Sequence, residues 1–97
     1  MQTLNQQKQL PACESMPVLR RNDNQKTASD SVKLLQKTLQ KYGFSSLKVD
    51  GFFGKKTENA VIEFQQRGND HDSTVVVDGI VGPQTWKALG LCVYATC

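Results

Sequence analysis

Val49-Asp50-Gly51-Phe52-Phe53-Gly54-Lys55-Lys56-Thr57-Glu58-Asn59-Ala60-Val61 and Val77-Asp78-Gly79-Ile80-Val81-Gly82-Pro83-Gln84-Thr85-Trp86-Lys87-Ala88-Leu89 are one pattern written twice. The stretches lie 28 positions apart and share their Val, Asp, both Gly, Thr and Ala positions, an agreement that marks an internal structural repeat. Asp-Gly is a turn dipeptide: Gly admits positive φ, and the carboxylate accepts hydrogen bonds from backbone N–H groups just downstream. With Gly54 and Gly82 as helix N-caps, Thr57 and Thr85 fall at N3, where a hydroxyl can satisfy free backbone groups, and Asp50 and Asp78 sit near positive helix ends. In an extended loop Phe53 and Val81 face the core, while Phe52 and Ile80 face away.

The repeat extends upstream. Val32-x-x-Leu35-Gln36 echoes Val61-x-x-Phe64-Gln65, so the unit reads as helix, Asp-Gly loop, helix, Asp-Gly loop, helix. In helix 1, Val32, Leu35, Leu39 and Tyr42 recur at helical spacing, Lys33, Lys37 and Lys41 line another face, and Gly43 is a stop. Ser29, Asp30 and Ser31 are its candidate caps. Helix 2 places Thr57, Ala60, Val61 and Phe64 on one face, with Gly68 expected to end it as Gly43 ends helix 1. Helix 3 is short: Gly82-Pro83 opens it, Trp86 and Leu89 stand three apart with Trp86 read as core, and Gly90 closes it. The fold class expected is all-α, a compact three-helix bundle with an internal helix/Asp-Gly-loop repeat.

A chain of 97 residues with 38% hydrophobic and 7% aromatic residues supports one domain with a modest core, and a surface site rather than a deep enclosed one. Residues 1–16 are Gln-rich and aperiodic and read as a flexible tail, residues 17–91 as the domain, and residues 92–97 as a short C-terminal tail with two cysteines. A net charge of +3 favours anionic partners without the density of a dedicated nucleic-acid binder. No run is long and apolar enough to cross a bilayer, and the opening MQTLNQQKQLPACES lacks the apolar stretch of a signal peptide. Cys13 paired with Cys92 or with Cys97 would close most of the chain into one loop, leaving one thiol over; unpaired thiols are the alternative.

The ordered matches Val32, Leu35-Gln36, Leu39, Gly43, Asp50-Gly51, Phe53-Gly54, Thr57, Ala60-Val61, Phe64-Gln65, Asp78-Gly79, Gly82-Pro83, Thr85-Trp86 and Ala88-Leu89 resemble the peptidoglycan-binding domain family, the three-helix cell-wall module found beside murein hydrolases. The resemblance covers residues 17–91, with a longer stretch between Arg20 and Val32 and a more polar Gly68–Thr74 loop than the family pattern. It implies a monomeric, non-catalytic module in the cell envelope, whether periplasm or cell wall, or outside the cell. Such a module binds the glycan and stem peptide of peptidoglycan and anchors an associated cell-wall hydrolase. No cofactor or membrane partner is implied.

The ligand so implied carries sugar rings, amides and carboxylates, which call for aromatics, amide side chains and cations. The candidate contacts are therefore Gln36, Asp50, Gly51, Phe52, Lys55, Lys56, Gln65 and Asp78, with Lys48 and the Lys33, Lys37, Lys41 stripe as further cations. Phe53, Thr57, Phe64, Thr85 and Trp86 read as structural. Each candidate has a plainer reading: turn residues for Asp50 and Asp78, helix-surface amides for the glutamines, and a solvated face for the lysines. The lone His71, between Asp70 and Asp72, reads as a solvated loop residue, because no accepted metal-ligand spacing surrounds it. The alternative function is a small basic interaction domain for a protein partner or nucleic acid; against nucleic acid, helix 3 carries only Lys87.

Overall fold

Ser29 adopts extended backbone and its hydroxyl accepts from the Val32 amide, which starts α1 (Asp30–Lys41) and selects Ser29 among the three candidate caps. A computed structural model describes residues 10–94. It contains α1, α2 (Lys55–His71), α3 (Pro83–Ala88) and one 3₁₀ turn at Cys13–Ser15. The helices α1 and α3 end in the same manner. Gly43 and Gly90 take positive φ, their amides donate to Gln40 and Lys87, and the next amides, Phe44 and Leu91, reach back to Leu39 and Trp86.

The helix α2 ends differently from the sequence expectation. Gly68 keeps helical backbone and α2 runs one turn further, to His71. The stop comes from Asp72, whose amide donates to the Gly68 carbonyl and whose carboxylate accepts from both the amide and hydroxyl of Thr74. His71 thus lies at a helix end rather than in a loop, and it is exposed.

The core gathers Val32, Leu35 and Leu39 of α1, Ala60 and Val61 of α2, and Trp86 of α3, with Leu47, Phe53, Val81 and Leu89 from the connections. Phe53 and Val81 face inward as the alternation requires. The Trp86 ring is fully buried and its Nε1 donates to the Pro17 carbonyl at 2.7 Å. Leu19 and Val81 exchange both backbone hydrogen bonds, which ties the segment before α1 to the second Asp-Gly loop.

Two buried amides organise the loops. Gln36 is 1% exposed; its Oε1 accepts from the amides of Asp50 and Gly51 at 3.0 and 2.9 Å, and its Nε2 lies within 3.1 Å of Asp50 Oδ1, the Phe52 carbonyl and Thr57 Oγ1. Gln65, 2% exposed, repeats this with Asp78, Gly79, the Ile80 carbonyl and Thr85. The helices α1 and α2 therefore each hold the Asp-Gly turn that follows through one buried glutamine. Asp50 and Asp78 complete the turn by accepting from the Phe52 and Ile80 amides, while Gly51 and Gly79 take φ of 81° and 75°. A Cβ on Gly51 would also meet Ala28 Cβ at 2.8 Å, so this turn admits no side chain.

The ends of the body differ from the expected tails. Cys13 is bonded to Cys92 across 79 positions, with Cα atoms 4.9 Å apart, and both cysteines are buried. Ala12 and Val93 pair in parallel beside the bridge. The segment from Pro11 to Met16 and residues 92–94 therefore belong to the folded unit: covalent closure and two backbone hydrogen bonds supply what the polar composition lacks. Residues 1–9 and 95–97, Cys97 among them, lie outside the described residues.

Gln36→Leu leaves two loop amides without their acceptor, and unfolding by denaturant should show a loss of about 2–4 kcal/mol; Gln65→Leu should lose about as much, since the two environments match. Paired Cys13→Ser and Cys92→Ser should lower stability by roughly 2–4 kcal/mol, read as a drop in melting temperature that reductant reproduces in the wild type.

Candidate functional site

The first Asp-Gly loop and the start of α2 enclose a shallow pocket of about 340 Å³ that brings together Ser46, Lys48, Asp50, Phe52, Lys55 and Lys56. Phe52 is 39% exposed: its carbonyl is fixed by Gln36 and its amide by Asp50, so the ring is presented on a rigid turn. Among the described residues, none of Lys48, Lys55 and Lys56 forms an ion pair. An aromatic face beside three ammonium groups, with one carboxylate at Asp50, suits a ligand with both a ring and carboxylates.

Asp50 belongs to the scaffold of this pocket. The Phe52 amide first of all, then Gln36 and the charge of Lys48, hold its carboxyl below the usual carboxylate range against the opposing effect of burial. Gln36 and Gln65 differ from the helix-surface amides expected: both are buried and their amides bond the loops, so each backs its pocket from the interior. Gly51, buried against Ala28, likewise shapes the site from behind. Asp78 lies on the second loop, in a separate shallow recess of about 210 Å³ with Val76, Ile80, Pro83 and Gln84. The structure thus unites Asp50, Phe52, Lys55 and Lys56 and leaves Asp78 elsewhere. Lys33, Lys37 and Lys41 are exposed and do not line this pocket.

Two features escape the sequence reading. Gln25, in the polar stretch before α1, donates to the Gly51 carbonyl at 2.7 Å and accepts from the Phe53 amide at 3.0 Å, clamping the first loop from outside. A lone Gln among turn formers gives no periodic signal. The second feature is a cleft of about 390 Å³ between α2 and α3, walled by Tyr42, Phe64, Val75 and Ala88. Phe64, expected to be structural, is half-buried and forms this wall, its ring edge-on to Tyr42 at 5.2 Å between centroids. Thr57, Thr85, Phe53 and Trp86 are buried as expected. Among the described residues no cluster of three His, Cys, Asp or Glu side chains could hold a metal ion.

The lowered pKa of Asp50 sets a pH dependence. Because the folded-state value lies below the unfolded one, the stabilisation is present above the ordinary aspartate value of 3.8 and is lost as pH falls through the lower folded value. Melts between pH 6 and pH 2, at about one-unit steps, should show acid destabilisation that Asp50→Asn reduces in slope.

The sequence pattern of the putative peptidoglycan binding domain matches residues 28–89. Over 60 residues the chain is 40% identical to an N-acetylmuramoyl-L-alanine amidase, CwlM, of Mycobacterium tuberculosis, a match covering 62% of this chain and 14% of that one. Over 69 residues it is 46% identical to the type VI secretion system spike protein VgrG3 of Vibrio cholerae, covering 63% of this chain and 7% of that one. The chain thus spans a small part of these curated relatives. Among solved structures, the SleB N-terminal domain superposes with a TM-score of 0.63 at 33% identity, covering 78% of this chain and 92% of that one. A peptidoglycan-binding protein of Clostridioides difficile gives 0.62 at 35% identity, covering 77% and 41%. With the pattern spanning most of the chain and the helical architecture shared, this protein belongs to the putative peptidoglycan binding domain family.

Proposed function

We propose that this chain binds bacterial peptidoglycan without catalysing its cleavage, acts in the cell envelope, and anchors an associated cell-wall hydrolase to the polymer. Membership of the family is the observation that carries the reading, and the pocket at the first Asp-Gly loop supports it. There the Phe52 ring stacks on a sugar face, and Lys48, Lys55 and Lys56 meet the carboxylates of the stem peptides. The amidase among the relatives supports the link to hydrolases. Asp50 and Gly51 hold the presenting turn, and the recess at the second loop with Asp78 adds a separate, weaker contact. Rigid loops limit the conformational entropy lost on binding, so modest contacts suffice for an anchor that must also release.

Purified sacculi should co-sediment with the wild-type domain. Phe52→Ala and Lys55→Glu/Lys56→Glu should each weaken that binding about tenfold or more with the melting temperature nearly unchanged, because these side chains are exposed. Salt-sensitive DNA binding by a protein that ignores sacculi would overturn the proposal.

A further inference from the structure

The two repeats differ in a telling way at position 68, where their geometry predicts likeness. Val32 and Gln36 of α1 correspond to Val61 and Gln65 of α2, each pair 29 positions apart, and the two glutamines make matching hydrogen bonds. On that register Leu39 corresponds to Gly68. Leu39 is fully buried, and Ala60 in the neighbouring helix is buried with it. In the second repeat Gly68 supplies no side chain, and Ala88, the counterpart of Ala60, is exposed on the wall of the α2/α3 cleft. The α2/α3 cleft thus opens where the second repeat carries glycine in the register position of a buried leucine.

Nothing in the fold demands glycine at position 68. Its φ is not left-handed, and an added Cβ would meet only Val75, at an ordinary 3.5 Å. Glycine inside a helix is otherwise disfavoured. The opening it leaves is walled by the Tyr42 and Phe64 rings, Val75 and Ala88, and the cationic and titratable side chains Arg67 and His71 line it; no Asp or Glu does among the described residues. Arg67 is held by the Tyr42 carbonyl and by Glu63, which uses two of its five N–H donors. We infer that the α2/α3 cleft is a second binding site, for a short peptide of small apolar side chains ending in a free carboxylate. Methyl groups enter between the rings and Val75, and the carboxylate meets Arg67 and His71 at the rim. The inference rests on the peptidoglycan reading, whose stem peptides offer such ends, and makes the cleft the peptide subsite, distinct from the Phe52 pocket.

The test titrates N-acetyl-D-alanyl-D-alanine and its C-terminal amide into the ¹⁵N-labelled full chain and follows amide shifts, with sacculus co-sedimentation in parallel. The carboxylate form should shift Gly68, His71, Val75 and Ala88, and the amide form should bind about tenfold more weakly. Gly68→Leu, which restores the residue found in α1, should abolish these shifts while leaving the melting temperature equal or higher. Ala88→Met closes the cleft from α3 and should act alike, so the test stands even where one variant fails to fold. Sacculus binding without cleft shifts, shifts confined to Phe52 and Lys55, or equal binding of the amide overturns the inference while the wall-binding reading survives. Cleft shifts without sacculus binding uphold the site and overturn that reading.

Discussion

A primary amide offers two donors and an acceptor with two lone pairs on one small group, and this chain uses that valence twice to tie a helix to the loop that follows it. Gln36 and Gln65 each accept from two consecutive loop amides and donate toward a carboxylate, a carbonyl and a threonine hydroxyl. No apolar residue could do this, because the Asp-Gly turns would then bury unpaired N–H groups. A carboxylate could not either, because it cannot donate to the Phe52 and Ile80 carbonyls. The three helices owe their relative placement to these buried networks as well as to apolar packing, and the exposed Phe52 ring owes its orientation to the Gln36 network.

Much of this was legible in the primary structure, and the parts that were not share a physical cause. The duplicated Asp-Gly segments, the inward Phe53 and Val81 and a cap within Ser29–Ser31 follow from local rules of turns, alternation and capping, which depend on neighbouring residues only. The end of α2 did not, because Gly68 carries the same local signal as Gly43 and the difference lies in whether the following residues turn back on themselves. The role of the paired glutamines was visible as repetition but not as burial: periodicity places Gln36 beside the core position Leu35, and only the arrival of the loop makes that place an interior one. Gln25 and the α2/α3 cleft depend on contacts remote in sequence and had no local mark.

Duplication also explains how one architecture holds two unlike surfaces. The loops and their clasps are nearly the same, so they act as a common frame. What varies sits on the frame: Phe52 and three lysines by the first loop, Ile80 and Pro83 by the second, leucine at position 39 of α1 and glycine at position 68 of α2. Changes at those positions alter the chemistry presented to a ligand without disturbing the hydrogen bonds that define the fold.

The joined ends bear on mechanics. Pro11 and Val93 lie side by side next to the Cys13–Cys92 bond. A pull applied through the two ends of the body runs through a covalent link at one edge and does not cross the helices. Tension drawn between those two ends is thus carried past the core and both Asp-Gly loops, which keep their shape under a load of that kind.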